Sequence, residues 1–186
     1  DMKRFTEMVR EFNERYAIEY PTKNRAFRAK LINEEVLELR EAFDIHAKSQ
    51  SHESLCNLIK EGCDLIYVLC GTIIDFGNPT NFDIYDLDDA DRSLVRNNDN
   101  HALMSDIEVL CEEFAEGENS AVYYCAGTVA RLICNLDTCI VPAFTAVHRS
   151  NMSKGTNGVP IYNEDGKLLK GDDYVKCDLS SIVAKK

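Results

Sequence analysis

INEEVLELREAFD, residues 32–44, sets Ile32, Val36, Leu39 and Phe43 at helical spacing. At about 100° per residue these four define one buried stripe. The acids around them do not share one environment. Glu34 and Glu41 fall almost opposite the stripe and read as solvated acids. Glu35 falls about 60° from the stripe centre, beside Leu31 and Ala42. Glu38 falls about 120° away, at the rim.

EGCDLIYVLCGTIIDFG, residues 61–77, repeats the device on the next helix. Leu58, Leu65 and Leu69 mark its buried centre. Glu61 lies about 60° off and Asp64 about 120° off. One helix therefore carries E-x-x-E and the other E-x-x-D, with matching angular placement. A carboxylate on a core-facing stripe pays several kcal/mol of desolvation, roughly, unless a cation offsets it. No basic residue occupies these stripes between Leu31 and Ala42, or between Leu58 and Val68 apart from Lys60, which the wheel points outward. Oxygen clusters of this kind suit hard divalent ions, Mg²⁺ above all. The competing reading is two amphipathic helices whose acids reach water at the bundle edge. A di-iron bundle would want E-x-x-H on two helices. None of His46, His52, His101 and His148 follows a Glu by three residues.

Outward from this pair, Phe5, Met8, Val9 and Phe12 predict a first helix over 3–16. Pro21-Thr22 breaks it, and the second helix is expected over 25–45. Polar residues 48–53 read as a loop before a third helix over 54–76. Gly77-Asn78-Pro79 stops that helix. Residues 82–100 are acidic and irregular and read as an exposed connection. Helices over 102–115, 120–138 and 142–152 follow, with Pro142 suited to a first helical turn. Val159-Pro160-Ile161-Tyr162, Asn163-Glu164-Asp165-Gly166 and Lys167-Leu168-Leu169 predict a small β-hairpin in the tail. Long helices with short links predict an all-α fold. It is a single domain over 1–186 with a four-helix-bundle core, core helices in 3–77 and 102–152, and a tail over 153–186.

Thirty-two acidic residues oppose 21 basic ones, for a net charge of −11. Such a chain is repelled by nucleic-acid polymers and anionic membranes, so neither is an expected partner. It can bind a nucleotide through bridging metal ions. Eight cysteines form no C-x-x-C pair. Cys56, Cys63 and Cys70 recur every seven residues in an apolar pattern and read as packing groups. A disulfide framework is not expected, and a reducing, cytoplasmic compartment is. No segment reads as a membrane span or a signal peptide.

With "AFTAVHRSNMSKG" at 143–155 and "DGKLLKGDDY" at 165–174, the two helices resemble the MazG-like, all-α nucleoside triphosphate pyrophosphohydrolase superfamily. Within it they look most like its phosphoribosyl-ATP pyrophosphohydrolase-like branch. E-E-x-x-E followed by E-x-x-D is the superfamily's hallmark. "VHRSNMSK" and "GK-x-x-KG-x-x-Y" are closer to the branch. The resemblance covers about 5–77 and 142–178, and the region 80–140 matches less distinctively.

The resemblance implies that Glu35, Glu38, Glu61 and Asp64 hold Mg²⁺, with Mn²⁺ as a substitute, and form the catalytic centre. It implies attack of water at the α–β linkage of a nucleoside triphosphate, a deoxynucleoside triphosphate in the favoured form, as nucleotide-pool house-cleaning. The products are a monophosphate and pyrophosphate. Glu35 and Glu38 are both candidates for the base. Arg149, Asn151 and Lys154, then Lys167, Lys170 and Tyr174, would bind substrate, since Arg and Lys suit phosphate oxygens. Arg28 and Lys30 are weaker phosphate candidates. The family also implies a homodimer or a dimer of dimers, and Leu37 on the outward side of its helix agrees with that. Phosphoribosyl-ATP, dUTP or dUDP remain alternative substrates, and a non-catalytic helical interaction protein remains an alternative function. Phe5, Phe12, Tyr16 and Tyr67 read as core residues before base-stacking ones.

Overall fold

The computed structural model describes residues 2–76, 99–164 and 166–185. The described residues form six helices: α1 Met2–Arg15, α2 Arg25–Ser49, α3 His52–Phe76, α4 Asn100–Glu116, α5 Ala121–Asn135 and α6 Ile140–Met152. No strand forms among them, and the fold is all-α. The acidic connection expected at 82–100 lies outside the described residues, except that Asp99 and Asn100 open α4.

At their shared end, α2 runs four residues past its expected limit and α3 begins two residues before its own. The loop expected at 48–53 shrinks to Gln50 and Ser51. Two local devices explain this. Gln50 takes a left-handed conformation at φ 50° and returns its N–H to His46 O, which closes α2. Ser51 Oγ accepts the N–H of Ser54, which caps the start of α3. The polar composition that suggested a loop is helix-terminal capping chemistry. Asn24 caps the other end of α2, accepting from Phe27 N–H at 3.1 Å.

α3 is the central helix and packs against α1, α2, α5 and α6. Its Ile59, Cys63, Leu65, Ile66, Leu69 and Cys70 are wholly buried. Each leucine-sized side chain removed from water contributes ~1.5–3 kcal/mol. Cys63 and Cys70 are therefore packing groups, and Cys56 is half-buried. All eight thiols are free. Ile32, Val36, Leu39 and Phe43 form the buried stripe of α2 as the spacing required, while Leu37 is 60% exposed.

The tail differs from the expected hairpin. A single antiparallel bridge joins Tyr162 to Leu168, flanked by Asn163 N–H to Lys167 O and Leu169 N–H to Ile161 O. The side chains here are mostly exposed, so no apolar face extends the pairing into strands. Beyond it the chain returns to the bundle, where Leu179 and Val183 are buried in the core. His52 Nε2 meets Val183 O at 2.8 Å. No single described helix is long and apolar enough to cross a membrane.

Candidate metal centre

α2 and α3 lie side by side, so the two acid pairs selected by their wheels face one another. Glu35, Glu38 and Glu61 each offer an oxygen within 4.8 Å of the others. Asp64 stands outside that trio but close enough to act on Glu35, where its charge is the largest electrostatic contribution. The expected outward residues do face away: Glu34 and Glu41 are exposed.

The charges are poorly compensated. Burial first, then Asp64, Glu38 and Glu61, push the Glu35 carboxyl up to about 8. Burial raises Glu61 to about 7, with Lys60 pulling against it and Asp64 and Glu38 pushing with it. Glu35 Oε2 and Glu61 Oε2 are buried without any hydrogen-bond partner. Two orphaned carboxylate oxygens in an all-oxygen cluster are the donor set a hard divalent cation takes.

Lys60 departs from its expected outward direction. Its Nζ donates to Asp64 Oδ2 at 2.7 Å and to Glu61 Oε1 at 3.3 Å. The backbone direction at position 60 is outward, but the four-carbon stem bends back along the helix into the carboxylate field. Burial alone would lower its pKa; Asp64 and Glu61 outweigh that and raise it. A wheel that treats side chains as radial vectors cannot register this.

The residues expected to supply positive charge divide. Lys154, one residue before a glycine at φ 119°, is largely buried and faces Asp64 and Glu35. Burial lowers its pKa, the acids raise it, and Lys170 and Lys167 lower it further. Lys167 and Lys170 thus stand near Lys154, whose own ammonium faces the acids. Lys154 Nζ lies 6.0 Å from the Phe12 ring centre, and Lys170 Nζ lies 5.0 Å from that of Tyr174. Asn151 turns its side chain to Tyr67. Arg149 is exposed on α6, and among the described residues no hydrogen bond or ion pair ties it to the acids. Arg28 is not a phosphate group. It is 5% exposed and spends its guanidinium on Thr72 Oγ1, Tyr20 Oη and Val68 O. Lys30 is exposed.

Two supports went unread in the sequence. Tyr16, 1% exposed, donates its hydroxyl to the carbonyls of Asn151 and Lys154, each at 2.9 Å. Tyr67 Oη and His148 Nδ1 lie 2.9 Å apart, and His148 Nε2 meets Glu11 at 3.3 Å. The sequence signal for both was a buried tyrosine, whose hydroxyl needs a partner.

Residues 2–83 match the family model of phosphoribosyl-ATP pyrophosphohydrolase. This is a MazG-like, all-α family, and it contains both acid pairs. The match supports an activity of the nucleotide pyrophosphohydrolase kind, a hydrolase. It covers a little under half of the 186 residues, and the basic cluster at 149–174 lies beyond it. No match was found among curated proteins or among solved structures.

Proposed function

We propose that the protein hydrolyses a nucleoside triphosphate at the α–β linkage, in a Mg²⁺-dependent reaction that yields a monophosphate and pyrophosphate. A deoxynucleoside triphosphate is the substrate class we favour, in nucleotide-pool house-cleaning. The observation that carries this is the pair of buried, unpartnered oxygens of Glu35 and Glu61 within a three-carboxylate cluster. Bound Mg²⁺ would lower the pKa of water and neutralise charge on the departing pyrophosphate.

The chain's own groups divide the remaining work. Glu35, Glu38 and Glu61 hold the cation, and Asp64 completes the set. Whichever of Glu35 and Glu38 keeps a free oxygen accepts the proton of the attacking water. Lys154, Lys167 and Lys170 take the phosphate chain on the side opposite the acids, and Tyr174 holds Lys170 in place. Lys154 lies in a largely buried position, where its charge acts on phosphate with little screening. Arg149, exposed on the last turn of α6, is free to swing onto the phosphates. Asn151 orders the start of this segment through Tyr67.

A second reading, hydrolysis of phosphoribosyl-ATP, is favoured by the matched family itself. A pyrophosphate-release panel with Mg²⁺ separates the two. It would hold the common ribo- and deoxyribonucleoside triphosphates, dUTP and phosphoribosyl-ATP, with dUDP followed beside them by orthophosphate release. Release from none of them would sink the hydrolase reading and favour a non-catalytic interaction protein. We also propose a homodimer or dimer of dimers, in keeping with the exposed Phe27, Leu37 and Ile45 on α2. Sedimentation at monomer mass would refute it. The eight free thiols suit a cytoplasmic setting.

A further inference from the structure

The hydrogen bonds of Lys60 raise a question of occupancy. Its ammonium lies along one edge of the carboxylate cluster, on Asp64 Oδ2 and Glu61 Oε1. It leaves Glu35 Oε2 and Glu61 Oε2 without partners, so one cation answers part of the charge of four acids. Asp64, its nearer partner, is the acid that stands outside the close trio.

The contact is also one that gives way easily. A basic residue four positions before an acid is the weaker orientation of a helical ion pair. Lysine is a point charge on a flexible stem, with no bidentate geometry to lose. The Lys60 side chain is 29% exposed against 12% for Glu61 and 20% for Asp64, so it reaches the acids from the solvent side. It returns to water without opening the core. An ammonium and a divalent ion on the same carboxylate edge repel each other at short range.

We propose that Lys60 is a resident competitor for the metal. Its ammonium holds the Asp64–Glu61 edge in the metal-free protein and leaves that edge when a divalent cation binds. Lys60 thereby sets the metal affinity of the site. This rests on the metal reading of the four acids given above. Lys60 is a positioning residue in this account: it spaces and neutralises the acids until the ion arrives. It also explains how four crowded carboxylates fold together before a metal is present.

The test is calorimetric titration of metal-free protein with Mn²⁺, without nucleotide. Wild type, Lys60→Met and Lys60→Gln are compared, each with Asp64 intact and with Asp64→Asn. With Asp64 intact, the Lys60 variants are expected to bind Mn²⁺ about tenfold more tightly, the scale of one charged hydrogen bond. With Asp64→Asn, that gain is expected to shrink to what the Glu61 contact alone supplies. Equal affinity for wild type and Lys60→Met overturns the proposal. So does an equal gain in both backgrounds, because the lysine would then act only as a distant charge. Wild type that takes up no Mn²⁺ overturns the metal reading and this proposal together; wild type that binds while the variants match it overturns this proposal alone. Lys60→Gln keeps a hydrogen-bonding head and serves if Lys60→Met does not fold.

Discussion

Gly171 lies so close over Gly155 that a Cβ on it would fall 2.2 Å from the Gly155 carbonyl oxygen. The same carbonyl accepts the N–H of Asp173 at 2.9 Å. This contact fastens the segment that carries Lys167, Lys170 and Tyr174 to the end of α6, next to Lys154. Gly171→Ala is expected to lift that segment while the helices stay folded. Faster proteolysis within 156–175, unchanged far-ultraviolet circular dichroism and a KM for nucleotide raised about tenfold would report it. Gly127→Ala is the counterpart. Nothing lies within 4 Å of a Cβ there, so that variant should gain up to ~1 kcal/mol from helix propensity. A loss of nucleotide affinity equal in both variants would remove the packing explanation.

The raised carboxyls give the metal-free protein a directional pH response. Glu35 is protonated in the folded protein up to about pH 8, against an ordinary value of 4.5. Between those limits the folded state binds the extra proton, so stability falls as pH rises and levels off above the folded value. Glu61, raised to about 7, adds to the same slope. Thermal melts of metal-free protein should therefore fall in Tm from pH 5 to pH 8. Glu35→Gln should flatten the curve, and saturating Mg²⁺ should flatten it as well. A wild-type Tm that rises across this range would contradict the burial of these acids.

Glu61→Gln and Lys154→Met separate the two halves of the site. The first removes charge where the cation is held and should cut turnover about a thousandfold with the fold intact. The second leaves the acids whole and removes an ammonium from the phosphate side. It should act mainly on KM, with pyrophosphate release still metal-dependent. Steady-state kinetics with the best substrate of the panel checks both. Equal turnover for Glu61→Gln and wild type would remove Glu61 from the metal set.

Tyr67 sits in a chain of buried hydrogen bonds. Asn151 bonds its hydroxyl, which lies 2.9 Å from His148 Nδ1, and His148 Nε2 meets Glu11 at 3.3 Å. Tyr67→Phe strips His148 Nδ1 and the Asn151 amide of their partner at almost constant volume. The loss should be ~1–3 kcal/mol in denaturant unfolding, the cost of orphaned buried polar groups. A variant as stable as wild type would mean that water replaces the hydroxyl.

The sequence held the architecture of α2 and α3 because their periodicity is local. Ile32, Val36, Leu39 and Phe43 sort Glu35 and Glu38 from Glu34 and Glu41 without knowledge of any partner. The same logic failed at Lys60, because a long side chain follows the field around it and not the radius of its helix. It overran at residues 48–53, where only Gln50 and Ser51 stay outside the helices and serve as their caps. Arg28 looked available and is consumed by Thr72, Tyr20 and Val68. Its burial depends on Gly71, where a Cβ would come within 2.7 Å of its guanidinium. Contacts between residues distant in sequence, such as Gly155 with Gly171, leave no periodic trace.

Tyr16 reaches carbonyls 135 and 138 residues further along the chain. The acids, by contrast, sit on neighbouring helices joined by two residues. Closing a short link costs little entropy, whereas bringing distant segments together is slow. Newly folding molecules should therefore capture ions before they recognise nucleotide, and melting ones should lose those abilities in reverse order. Stopped-flow refolding, followed by Mn²⁺ uptake and by a fluorescent nucleotide, would record two events separated in time; a single shared rate would mean that both halves condense together.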